Sequence, residues 1–143
     1  MAFLEKNAQQ KFKEVNLLYG AFELKLVNLT KNKSFAYDRV AEHQVEALDA
    51  ISTGKGLYHK IADSPVSWQT KMRFGKPKPF DCFKLKDIPA YVVICWYNPE
   101  QARGNKEFHY IRIQAFLDKK ATDPKKSMRI EASREIAEGI LNV

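Results

Sequence analysis

The sequence predicts an α/β domain, a central mixed β-sheet flanked by helices, on three observations. Residues 90–97, Ala-Tyr-Val-Val-Ile-Cys-Trp-Tyr, form an unbroken apolar run of strand length, the pattern of a strand covered on both faces. Phe22-Glu23-Leu24-Lys25-Leu26 alternates apolar and charged residues, the pattern of a strand with one polar face. Leu4, Ala8, Phe12, Val15 and Tyr19 recur at helical spacing. At 143 residues, with 45% hydrophobic and 29% charged residues, the chain fits one domain over 1–143 with a real core.

In order, residues 3–19 read as an amphipathic helix that ends at Gly20. Glu5 lies beside its apolar stripe. It either favours the helix N-terminus through the dipole or reaches toward a site at the sheet edge. Residues 21–27 are the alternating strand, with Glu23 and Lys25 on one face and Phe22, Leu24 and Leu26 on the other. That polar face is an ordinary solvated ion pair, or a carboxylate and an ammonium placed to serve a metal and the water it activates.

Residues 28–34 form a polar, basic loop. It is a solvated turn, or a set of amides, hydroxyls and lysines that hold phosphates. A second helix is expected over 38–52 with Asp38 as N-cap and a stripe of Val40, Ala47, Leu48 and Ile51. Gln44 falls inside this stripe, and an inward amide needs a partner: backbone, or Glu23 and Lys25 across the packing interface. Gly54 and Gly56 end the helix, and a short strand follows at 57–62.

Residues 63–79 carry three prolines together with Lys71, Arg73, Lys76 and Lys78, interrupted by Trp68 and Phe74. They read as a basic projecting loop or hairpin, suited to phosphate contacts and stacking, or as a lid packed on the domain. A strand at 79–85 opens with the lone acid Asp81, which is a turn residue or a second carboxylate converging on Glu23. The buried strand 90–97, a turn at 98–105, a strand through Phe108 to Ile113 and a short helix at 114–120 follow, with Asp123-Pro124 breaking the helix. From Ser127 the pattern predicts a surface or dimer-packing helix.

The net charge of +7 and pI near 9.4 favour a polyanionic partner. The cations are scattered over several elements rather than gathered on one amphipathic helix, so nucleic acid is a better match than a membrane surface. No apolar run reaches membrane-spanning length, and the N-terminus lacks a signal-peptide pattern. Cys82 and Cys95 sit in apolar strand-like stretches and read as buried thiols of a cytosolic protein, without zinc-ligand spacing.

Glu23-Leu24-Lys25 together with Asp81 resembles the PD-(D/E)XK nuclease site. The more specific similarity is to Holliday junction resolvases of the RecU and Hjc type. It rests on Thr30-Lys31-Asn32-Lys33-Ser34-Phe35 after the Glu-x-Lys strand, then His43-Gln44 and Glu46-x-Leu48, with the opening Leu4-Glu5 and the later strands adding piecewise matches over 3–117. The chain departs from the family in one respect: there the aspartate strand precedes the Glu-x-Lys strand, whereas Asp81 follows it. The resemblance therefore implies a permuted strand order, with 63–79 as a shortened counterpart of the family's junction-inserting stalk. Asp63 is the substitute acid if Asp81 lies elsewhere.

The resemblance implies a restriction-endonuclease-like fold and Mg²⁺-dependent cleavage of branched DNA, most of all four-way junctions, with Mn²⁺ able to substitute. Glu23, Asp81 and the Leu24 carbonyl would bind metal, with Glu5 as an additional acid. Lys25 would orient water and stabilise charge, and Gln44 would position water or the scissile phosphate. Lys31, Lys33, Ser34, Lys71, Arg73, Lys76 and Lys78 would contact DNA. The active unit would be a homodimer in the cytoplasm of a bacterial or phage-infected cell. A nuclease for flaps, nicks or duplex, and a non-catalytic DNA-binding protein on the same fold, are the alternatives.

Overall fold

The computed structural model describes residues 2–61 and 79–143. The central sheet is mixed, with strand order β1-β5-β6-β8: β1 (Ala21–Asn28), β5 (Ala90–Tyr97), β6 (Lys106–Arg112) and β8 (Gly139–Asn142). β1 runs parallel to β5, with Glu23 beside Val92 and Lys25 beside Ile94, while β6 and β8 add antiparallel. The apolar run is the second strand of the sheet, flanked by β1 and β6, and Ala90 to Trp96 are buried throughout.

Its alternate residues feed two cores. Tyr91, Val93 and Cys95 join Leu24, Phe108 and Tyr110 under α1 (Glu5–Val15), which contributes Ala8 and Phe12. Val92, Ile94 and Trp96 join Val27 and Ile111 on the opposite face, beneath α2 (Glu42–Ser52) and α3 (Ile113–Thr122). This is a three-layer arrangement that buries both faces of a strand with no polar side. Burial also pushes the Cys95 thiol up to about 12, so it stays protonated and inert. Cys82 is half-buried.

Several boundaries differ from the sequence expectation. α1 stops at Val15 rather than near residue 19. Asn16 turns the chain by accepting from the Leu18 N–H at 3.0 Å and from the Tyr110 hydroxyl at 3.0 Å, which leaves Leu17 and Tyr19 exposed. Gly20 therefore does not cap the helix. It is needed at the mouth of β1, where a Cβ would collide with the Pro89 carbonyl oxygen. That carbonyl accepts from Ala21 N–H at 2.9 Å.

Asp38 is not an N-cap either. It lies in a 3₁₀ turn, Tyr37–Arg39, and α2 begins later with Ala41 at the N-cap. The Tyr37 hydroxyl donates to Asp123 at 2.6 Å and anchors this turn to the end of α3.

The largest correction concerns the C-terminal segment. The expected helix from Ser127 is β7 (Ser127–Arg129), the short α4 (Ile130–Ile136) and β8. β7 pairs with β2 (Ser34–Ala36), and β8 completes the central sheet against β6. A buried polar network fixes α4. His109 and Ser133 are fully buried. The ionised Glu107 only accepts, so the proton on His109 sits on Nε2, 2.7 Å from Glu107. His109 Nδ1 then accepts from the Ser133 hydroxyl at 2.5 Å, and Ser133 Oγ accepts from Trp96 Nε1 at 3.2 Å. Arg134 closes the chain with bonds of 2.8 and 2.9 Å to the two oxygens of Glu107. Arg134 and His109 hold the Glu107 carboxyl down at about 2, and burial lowers the His109 pKa.

A separate antiparallel ribbon pairs β3 (Leu57–Lys60) with β4 (Cys82–Leu85). The sequence expectation that the Asp81 strand lies in the central sheet is thus not met. Leu57 and Leu85 pack the ribbon's base against the core, while Asp81 lies at its other end, where its carbonyl accepts from Ile61 N–H at 2.8 Å.

Candidate functional site

Period-two alternation sends Leu24 into the α1 core and turns Glu23 and Lys25 toward α2. The Lys25 ammonium lies 3.2 Å from Glu23 Oε1, with the two side chains 14% and 27% exposed. Gln44, in the first turn of α2, donates through Nε2 to the same oxygen at 2.8 Å. Its own Oε1 accepts from the Ala41 N–H at 3.0 Å. One amide therefore satisfies an otherwise orphaned helix N–H and pins the carboxylate rotamer. Gln44 interrupts the apolar stripe because its partner is a carboxylate on the neighbouring strand.

The backbone of β1 adds a second feature. Ala21 N–H donates to Pro89 and Leu29 N–H to Tyr97, so odd-numbered residues direct their backbone groups toward β5. Even-numbered residues direct theirs to the opposite edge. Arg39 Nη1 accordingly donates to the Leu26 carbonyl at 2.9 Å, and the Leu24 carbonyl faces the same way. Among the described residues no strand pairs with this edge. A carboxylate and an outward carbonyl on consecutive residues supply oxygen donors of the kind that Mg²⁺ takes. Among the described residues there is no group of three or more His, Cys, Asp or Glu side chains placed to hold a metal ion.

Glu23, Lys25, Gln44 and the Leu24 carbonyl thus come together. Asp81 lies just beyond the far end of the β3–β4 ribbon rather than on a neighbouring strand of the sheet. Glu5 belongs to the helix on the opposite face and pairs with Arg39 at 3.5 Å. Lys31 and Ser34 flank the end of β1, where Lys31 N–H donates to the Asn28 carbonyl at 3.0 Å in a turn braced by the Asn28 side chain. Lys33 is exposed in the same loop. Asp63, Trp68, Lys71, Arg73, Phe74, Lys76 and Lys78 lie outside the described residues.

Arg39 was not singled out from the sequence. A lone arginine between two elements has no pattern to mark it. In the fold it bonds to the β1 edge, pairs with Glu5 and lies 5.2 Å from the Phe35 ring centroid.

No helix among the described residues is long and apolar enough to cross a membrane. The chain matches no known family model, no curated protein and no solved structure.

Proposed function

We propose that the protein is a metal-dependent endonuclease acting on branched DNA, a four-way junction above all, from a restriction-endonuclease-like fold and as a homodimer. The observation that carries this reading is the convergence of Lys25 and Gln44 on one oxygen of Glu23, beside a strand edge that offers the Leu24 carbonyl. A solvated ion pair does not require the inward amide. The residue order that resembles the resolvases, Glu-x-Lys, basic loop, then Gln on the following helix, gives a reason for it.

In this reading Glu23, the Leu24 carbonyl and Asp81, the last brought over by the β3–β4 ribbon, would hold a Mg²⁺ ion, with Mn²⁺ as a substitute. Such an ion would supply an acidified water and charge neutralisation at the phosphate. Gln44 keeps the Glu23 carboxylate in a single orientation. The Lys25 ammonium stands beside that carboxylate, where it orients an attacking water and offsets developing negative charge. Lys31, Lys33 and Ser34 contact the DNA backbone, and the net charge of +7 draws the polyanion in.

A panel of labelled four-way junction, flap and plain duplex DNA with Mg²⁺ tests the specificity. Paired nicks in the junction, with duplex left intact, are expected. Equal cutting of all three overturns junction specificity and leaves a nuclease of broader choice. The second reading is a DNA-binding protein without catalysis, which the net charge of +7 suits equally. Junction binding with no cleavage in either metal selects it.

A further inference from the structure

The C-terminal end of β1 opens into a cavity of about 440 Å³ whose lining includes Leu26, Lys31, Asn32, Ser34, Arg39 and Glu5. We propose that this cavity is a phosphodiester subsite, in which Arg39 and Lys31 hold a backbone phosphate of the strand that passes Glu23 and Lys25. The proposal rests on the nucleic-acid reading above, but not on cleavage.

Preorganisation is the first argument. The Arg39 side chain is only 38% exposed and is fixed from three sides, by the Leu26 carbonyl at 2.9 Å, by Glu5 at 3.5 Å and by the Phe35 ring. A guanidinium has five N–H donors in a planar fork, and these contacts engage Nη1 and Nη2 without exhausting them. Lys31 is carried on a compact turn in which Lys31 and Asn32 both donate backbone N–H groups to the Asn28 carbonyl, at 3.0 and 2.9 Å. The Arg39 guanidinium therefore needs little ordering before it meets an anion, while the turn fixes the backbone that carries the exposed Lys31 side chain.

Charge gives the second argument. Lys31 and Arg39 face the single acid Glu5, so the cavity is net positive. An adjoining cavity shares Ser34 but combines Lys125 and Arg129 with Asp123, Glu131 and Glu135, and is net negative. An anion seated at Ser34 is thus directed to the β1 side.

The third argument is position. From Lys25 to Asn28 along β1 is about 10 Å, which matches about three base-pair steps along a duplex axis. Glu23 and Lys25 face α2 whereas Phe3, Leu4 and Glu5 line the cavity from the α1 side, so a strand that rounds the free β1 edge, where Arg39 meets the Leu26 carbonyl, passes from one to the other. Leu26 and Phe3 in the lining offer apolar surface for the intervening sugar.

The test is a two-dimensional ¹H–¹⁵N titration of the full chain with a 5′-phosphorylated thymidine dinucleotide in EDTA at low salt. Saturable shifts are expected at the Lys31, Asn32 and Ser34 amides and at Arg39 Nε. R39Q and K31Q should each weaken binding about tenfold, as expected for loss of a charge-assisted hydrogen bond. The proposal is overturned if these signals stay still or if R39Q and K31Q leave the affinity unchanged. The Lys31 side chain is exposed, so K31Q leaves the fold intact if R39Q does not. Junction cleavage in Mg²⁺ is read separately. Cleavage without dinucleotide binding sinks this subsite alone, and dinucleotide binding without cleavage sinks the nuclease reading alone.

Discussion

Replacing Gln44 by leucine tests the core of the site without reference to catalysis. The substitution removes the 2.8 Å bond to Glu23 and the 3.0 Å bond from Ala41 N–H. A hydrogen bond to a charged group contributes about 1.5–3 kcal/mol, and the helix N-terminal contact about 0.5–1 kcal/mol. The added apolar side chain on a half-buried position returns about 1 kcal/mol. The net loss is about 1–3 kcal/mol, or a fall in Tm of about 3–10 °C for a chain of this size.

Gln44→Glu sharpens the test, because it keeps the shape but sets a second carboxylate beside Glu23. Like charges at that spacing force one carboxyl pKa upward. A raised folded-state carboxyl pKa penalises the native state at high pH, and the penalty disappears once the pair holds a proton. Relative to the unmodified protein at each pH, Q44E should be less stable than Q44L at pH 8 and should recover toward pH 5. Thermal unfolding followed by circular dichroism measures both. A Q44L change under about 0.5 kcal/mol, or a Q44E penalty that does not vary with pH, refutes the reasoning.

Other outcomes follow from the fold. Gly20→Ala should cost about 1–3 kcal/mol, since the new methyl meets the Pro89 carbonyl at the start of β1; denaturant midpoints report it. The Glu107 carboxyl, held at about 2 rather than 4.5, contributes at most about 3 kcal/mol, reduced to about 1–2 kcal/mol by solvent at its rim. This stability is present above the unfolded-state pKa and is lost as pH falls toward 2. His109, whose pKa is lowered by burial, adds an earlier loss that begins as pH drops below 6.5. Native stability should therefore decline from near neutrality downward. E107Q should be weaker at pH 7 and show a shallower acid limb below about pH 4.5; equal acid limbs in urea titrations at stepped pH would contradict the network.

The parts of this molecule that were legible in the sequence are those whose partners are nearby or generic. Ala90 to Tyr97 announces a doubly covered strand because every residue faces a core, whatever that core contains. Glu23 and Lys25 announce a polar face because alternation is local, and Gln44 betrays a polar partner by breaking a stripe. The C-terminal segment is not legible in the sequence because its pairing is remote. β7 has three residues and β8 four, too few to show a period, and their ladders are supplied by β2 and β6. Ser133 resembles a helix surface residue until Trp96 and His109 are placed against it. The end of α1 was overextended because the Tyr19 spacing fits a helix that Asn16 diverts. Asp81 fitted the sheet in sequence order, yet β4 finds its partner in β3, a short antiparallel neighbour that a periodicity argument does not reveal.

The central claim, that Glu23 with Lys25 and Gln44 forms a metal-dependent phosphodiesterase site, is met most directly by Glu23→Gln on a labelled four-way junction. The account predicts Mg²⁺-dependent nicking by the unmodified protein, abolished by EDTA. In E23Q cutting should fall at least about a hundredfold while junction binding is retained. Cutting by E23Q at the unmodified rate, or no cutting by the unmodified protein in either Mg²⁺ or Mn²⁺, would contradict it.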